Sequence, residues 1–229
     1  MALSPPSIVN VISYNLLSSS LAMPSFYPTY NPETLKAENR FALIRAKLEE
    51  QIAKRAIIAL QEVSITWAGQ LDVLFEKHGY HFVHNLYGNR FNGYMGIGLA
   101  WPLDLYEAVD VSLQKIAESK TWPRVAADVP FWPSFGLVGR FLGSVSSAWE
   151  RFARPEVVAL REDWAEIKRR SNVLIFARLR VRPSGKVFCV ATYHMPCAFR
   201  QPRVVSDTLV INPKSYAFDC WHVTLMCWP

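Results

Sequence analysis

Hydrophobic and polar positions change period twice along the first third of the chain. From Ile8 to Tyr14, "IVNVISY" is rich in β-branched and aromatic residues, with Pro6 before it and Asn15 and a serine cluster after it. That composition predicts a strand over 8–14. The period then lengthens: Phe41, Ile44, Leu48 and Ile52 recur at steps of three and four, which places them on one face of a helix. Asn31 is its expected N-cap, Pro32 takes the first helical position, Glu33 sits in the positive first turn, and Lys54 and Arg55 suit the negative end. At 57–64, "IIALQEVS", the pattern changes again. Ile57, Ile58, Ala59 and Leu60 read as a buried strand, which Gln61 and Glu62 interrupt before Val63 restores it.

Two hairpins are expected further on. "YHFVHNLYGNRFNGYMGIGLAW" places two β-rich runs around Gly88, Asn89, Asn92 and Gly93. In "VLIFARLRVRPSGKVFCVATYH", Val173, Ile175, Ala177, Leu179 and Val181 line one face, Arg178, Arg180 and Arg182 the other, and Pro183 to Lys186 form the turn. The three arginines read as a solvated strand face. Between the hairpins, residues 103–170 have a different, helical character. Val138, Phe141, Leu142, Val145, Trp149 and Phe152 share one helical face there, within an aromatic stretch at 129–152. Such a face fits a helix docked on the body, a lid over a cleft or a membrane-surface element, and docking is the simplest of these. Strand, helix, strand and then hairpins predict a layered α/β or α+β domain.

A length of 229 residues with 51% hydrophobic content fits one sizeable domain. The net charge of +6 favours anionic partners: nucleic acid, phosphorylated metabolites or acidic lipid surfaces. Cys189, Cys197, Cys220 and Cys227 have no spacing that indicates a zinc site or a disulfide framework, so a reducing compartment is expected. The start "MALSPPSIVN" has no basic n-region and no apolar h-region, and no apolar run reaches the roughly 18 residues of a spanning helix. An intracellular, cytoplasmic protein without a transmembrane segment is expected.

Glu62 carries the first candidate chemistry. Taken alone it is an ordinary loop residue or ion-pair partner, but a carboxylate that ends a buried strand must reach solvent or a cation. Asn15 ends the first strand in the same way. A strand, helix, strand connection favours parallel neighbours, which would project Asn15 and Glu62 from one sheet edge. A hard oxygen ligand with an orienting amide suits Mg²⁺. His194 closes the last predicted strand in "VFCVATYHMP", where it could give a hydrogen bond or a proton to a phosphate oxygen.

"VISYNLL", then "IIALQEV" after an amphipathic helix, a Tyr- and Gly-rich hairpin ending "GIGLAWP", then "SNVLIFARLR" and "VATYHMP" resemble the successive signatures of the endonuclease/exonuclease/phosphatase superfamily. The resemblance covers about residues 8–200, and L-Q-E is its most specific motif. It implies a DNase I-like four-layered α/β sandwich around two mixed sheets. It also implies Mg²⁺-dependent phosphoester hydrolysis by an activated water, with Mn²⁺ as a substitute metal. Glu62 looks like the family's metal-ligating glutamate, Asn15 like the asparagine beside the metal, and His194 like the histidine that approaches the scissile phosphate. The implied substrate is a phosphate ester, whether nucleic acid, phosphorylated small molecule or lipid.

The family's G-D-x-N and S-D-H motifs are not found. After Pro202 the chain contains Asp207, Asn212, Asp219 and His222, none with the expected neighbours. The expectation is therefore a family domain over 1–202, with a helical insertion at about 103–170, followed by an atypical tail at 203–229. Such a chain would lack the C-terminal part of the domain. Three behaviours stay open: a phosphoesterase impaired by truncation, a non-catalytic binding module, or a membrane-associated lipid phosphodiesterase relative that uses the aromatic segment.

Overall fold

The computed structural model describes residues 8–119, 164–165 and 168–195. The chain divides into two compact units, one formed by 1–116, 171–195 and 213–229, the other by 117–170 and 196–212. The aromatic segment 129–152 and the tail 203–229 lie outside the described residues. Both sheets, and the helices between residues 32 and 77, belong to the first unit.

Strands β1 (Val11–Asn15) and β2 (Ile57–Val63) pair in parallel, with Val11 beside Ile57 and Asn15 beside Gln61. The expected helix between them is divided into α1 (Pro32–Leu35) and α2 (Ala37–Ala53). Asn31 does cap α1, its side chain accepting from the Glu33 N–H at 3.0 Å. The break falls at Lys36, whose backbone is extended. None of the α1 residues is buried, so no packing holds that first turn in line with α2. Ile44, Leu48 and Ile52 are the buried face of α2, as the spacing predicts.

Helix α3 (Ile65–Lys77) follows β2 directly, and Trp67, Ala68, Leu71, Leu74 and Phe75 form its buried face. The first expected hairpin is present as β3 (Tyr80–Leu86) and β4 (Gly96–Pro102). β4 also pairs with β2, giving the order β1-β2-β4-β3. A second sheet has the order β5-β6-β7, formed by β5 (Tyr106–Lys115), β6 (Val173–Val181) and β7 (Val187–Tyr193). β5 falls inside the stretch assigned helical character from the sequence. Its pairing with all of β6 fixes it as a strand, and a register shift between Ala108 and Asp110 blurs the alternation that would have marked it.

Two apolar layers hold these elements together. On one face of the first sheet, Ile58, Leu60 and Val63 pack against Leu48, Ile52, Trp67, Leu71 and Phe75. On the other face, Ile57, Ala59, Ile97 and Leu99 meet Ile175, Ala177 and Leu179 of the second sheet. Four consecutive apolar residues open β2 because both of its faces are covered. The result is a mixed α/β arrangement of helices, sheet and sheet, which makes up three layers of the expected sandwich.

The inward face of β6 is as expected. Its other face is mixed, because Leu174 and Phe176 are buried while Arg180 forms an exposed pair with Glu107 at 3.2 Å. Arg182 donates to the Leu103 carbonyl at 2.7 Å. Cys189 on β7 is disulfide-bonded, where the spacing of the cysteines indicated no disulfide framework. Among the described residues no helix is long and apolar enough to cross a membrane.

The β3–β4 register makes a sharp demand at Gly96, where an added Cβ would lie 1.7 Å from the Asn85 carbonyl oxygen. Gly96→Ala should cost about 1–3 kcal/mol in urea unfolding, since backbone must move to admit the methyl. Gly69→Ala, in α3 with nothing within 4 Å of the new atom, should instead stabilise by about 0.5–1 kcal/mol. Equal stability of Gly96→Ala and wild type would contradict this register.

Candidate active site

A β-bulge determines where Glu62 points. The pairing of β2 with β4 joins Gln61 to Ile97 and then Val63 to Gly96, so Glu62 is an extra residue with no partner opposite. Its φ is +58°, in the left-handed region that side chains other than glycine rarely adopt. Strict alternation would have turned Glu62 toward the helices with Leu60. The bulge instead lets Leu60 and Val63 both face the helices and releases Glu62 to the strand end. Gln61 keeps its place between the sheets, where Nε2 donates to Ser13 Oγ at 3.0 Å and to Thr192 Oγ1 at 3.1 Å.

The carboxylate lies in a cradle made by the end of β1. Asn15 Nδ2 donates to Glu62 Oε1 at 2.8 Å, and the Ser18 N–H donates to Oε2 at 3.0 Å. Asn15 Oδ1 accepts from the Leu17 N–H at 2.8 Å, and Leu17 is itself left-handed with φ +53°. Ser18 Oγ donates to the Asn92 carbonyl at 2.7 Å, which ties the cradle to the β3–β4 loop. Glu62 is 8% exposed, so these donors replace the water it would otherwise bind.

His194 completes the cluster from β7. Its Nε2 is 3.6 Å from Glu62 Oε1, and its Nδ1 is 3.4 Å from the Tyr87 hydroxyl. Asn172 Nδ2 donates to the His194 carbonyl at 2.8 Å and to Tyr87 Oη at 3.3 Å. Burial pushes the imidazole below its ordinary pKa, against the upward pull of Glu62. Burial therefore favours the uncharged imidazole.

The structure thus brings Asn15, Glu62 and His194 together. The sequence reading missed Ser18, Tyr87, Asn172 and the Gln61 to Thr192 link. Asn172 carries a signal related to the one that marked the other three, a polar residue flanking an apolar strand. β6 runs antiparallel to β7, so the residue before β6 lies beside the residue after β7. Ser18 acts through its backbone, which no side-chain pattern announces.

Among the described residues no group of three or more His, Cys, Asp or Glu is gathered closely enough to hold a metal. The hard donors at the site are the Glu62 carboxylate and the Asn15 carbonyl oxygen. A carboxylate has about four lone-pair positions, of which the Asn15 and Ser18 donors take two. That leaves room for a cation such as Mg²⁺, which retains several waters and takes one or two carboxylates together with phosphate oxygens.

The pKa of His194 has a consequence for stability. Because the folded value lies below the ordinary 6.5, the unfolded chain takes up a proton first as pH falls. Stability from this group is complete above about pH 6.5 and is lost between that value and the lower folded pKa. In EDTA, wild type should therefore lose more stability than His194→Gln between about pH 8 and about pH 5. Parallel losses in denaturant titrations would show that the imidazole is not desolvated.

No protein-family model matches the chain, and no curated protein matches it in sequence. Solved structures match it in fold. ANGEL2, described as a 2',3'-cyclic phosphatase in complex with adenosine-2',3'-vanadate, matches at 18% identity and a TM-score of 0.57, over 90% of this chain and 47% of that one. The human Nocturnin catalytic domain with a bound sulfate anion matches at 18% identity and a TM-score of 0.53, over 91% and 58%. An endonuclease/exonuclease/phosphatase family protein from Bacteroides thetaiotaomicron matches at 14% identity and a TM-score of 0.52, over 91% and 58%. The chain spans about half the length of the solved chains it matches. The fold is the one these structures share, the DNase I-like fold implied by the order of the sequence signatures.

Proposed function

We propose that this chain is a Mg²⁺-dependent phosphoesterase that binds its phosphate ester at the Glu62 edge of the first sheet. The observation that carries this reading is the bulged, left-handed Glu62, held by two N–H donors beside a buried histidine. Strain of this kind costs about 1–3 kcal/mol and persists only where the surroundings enforce it. The phosphatase activity in the description of ANGEL2, and the sulfate on Nocturnin, a tetrahedral anion like phosphate, support the same class.

Glu62 would hold the metal. Asn15 would serve mainly to orient it, because the Asn15 amide nitrogen is turned to Glu62 and its oxygen to the Leu17 N–H. When bound, Mg²⁺ or Mn²⁺ supplies charge that offsets the phosphate and lowers the pKa of a coordinated water. His194 would donate a hydrogen bond to a phosphate oxygen from its uncharged form. Tyr87 would help to orient the ring, since its Oη lies 3.4 Å from His194 Nδ1 and also accepts from Asn172. Nε2 is the ring nitrogen on the side of Glu62.

A second reading is phosphate-ester binding without turnover. It is favoured by the composition of the site, where the described residues bring Glu62 as the one carboxylate. Nucleic acid, a phosphorylated small molecule and a lipid headgroup share the phosphate ester, and all three remain within the proposal.

Hydrolysis of bis-p-nitrophenyl phosphate and p-nitrophenyl phosphate in Mg²⁺ or in EDTA tests the proposal. Wild type should turn over one of them only with metal, and His194→Gln should lower the rate by about 10²–10⁴-fold. Glu62→Gln should abolish the metal-dependent turnover, because it removes the anionic ligand and sets an amide donor against the Asn15 or Ser18 donor. Saturable phosphate binding without turnover would establish the second reading. Turnover that survives Glu62→Gln would refute both.

A further inference from the structure

Arg40 stands outside the cluster, yet the cradle leans on it. It extends from the first turn of α2, with its guanidinium 5.0 Å above the ring of Trp67, which α3 holds at 1% exposure. Its Nη2 donates to two successive carbonyls, that of Leu16 at 2.6 Å and that of Leu17. Successive carbonyls ordinarily diverge along a chain. They converge on one nitrogen here because Leu17 is left-handed, and the same turn aims the Leu17 N–H at Asn15 and the Ser18 N–H at Glu62.

We propose that Arg40 is a positioning residue of this site: it locks residues 16–18 in the turn that presents the Asn15 carboxamide and the Ser18 N–H to Glu62. The inference rests on Glu62 being the metal ligand proposed above and adds the residue that sets its geometry. A left-handed leucine needs an external hold, and the described structure provides it as a cation on the outer side of the turn. Packing against Trp67 also fixes the guanidinium, so Nη2 stays aimed at the two carbonyls. Burial pushes the pKa of Arg40 below its ordinary value, and the phenols of Tyr14 and Tyr27 and the Glu62 carboxylate pull it back up. A guanidinium stays charged at neutral pH even so, and Arg40 brings a positive field to the carboxylate. Lysine would bring a charge and donors but not the planar stack, so it is a partial substitute.

Backbone amide exchange and Mn²⁺ titration of the full chain, for wild type, Arg40→Gln and Arg40→Lys, test this directly. Arg40→Gln should speed exchange at Leu17 and Ser18 by about tenfold or more while the Leu48 and Leu71 amides keep their rates. It should weaken Mn²⁺ by about 10–100-fold, the range seen when a group supporting a metal ligand is removed. Arg40→Lys should recover part of both effects. Unchanged exchange at Ser18, or an equal rise throughout α2 and α3, would overturn the proposal, the second by showing a role in the fold as a whole. If Mn²⁺ does not bind the wild-type chain, the phosphoesterase reading falls, and the exchange rates alone still decide the role of Arg40.

Discussion

A buried carboxylate on a strand with two apolar faces is the constraint on which this site depends. Glu62 cannot follow the alternation of β2, because either face would strip it of water without a partner. The bulge removes it from both faces, and the parallel neighbour β1 then supplies the donors that water would have given. The left-handed backbone at Glu62 and at Leu17 are two halves of one solution: one aims the carboxylate, the other aims the N–H groups that receive it.

The layers around this point keep it in place. Gln61, one residue before the bulge, reaches Ser13 on β1 and Thr192 on β7, joining the two sheets beneath the site. Two residues beyond Thr192, His194 arrives beside Glu62, and its carbonyl is held by Asn172 from the start of β6. A polar link inside the interface between sheets is costly when half satisfied and specific when complete. Here it fixes the register of β7 relative to β2, and with it the distance between the imidazole and the carboxylate.

Much of this was legible in the sequence because strand ends are informative. Asn15, Glu62 and His194 each follow an apolar run, and the connection through a helix implied a parallel pair with both residues at one edge. The helix face of Ile44, Leu48 and Ile52 was equally plain. The bulge was not, since one extra residue leaves the apolar run looking continuous. Nor was the role of Ser18, which uses only its backbone, or that of Arg40, whose partners are carbonyls 23 and 24 residues away. β5 was hidden for a related reason: a register shift breaks its period of two, and only its pairing with β6 identifies it as a strand.

Paramagnetic broadening of backbone amide resonances by Mn²⁺ tests the central claim most directly, because it locates a cation without requiring turnover. Broadening should centre on Asn15, Ser18, Glu62 and His194, be reversed by excess Mg²⁺, and disappear in Glu62→Gln. Broadening centred elsewhere, or unchanged by Glu62→Gln, would contradict the account by showing that the bulge and its cradle hold a carboxylate that no cation uses.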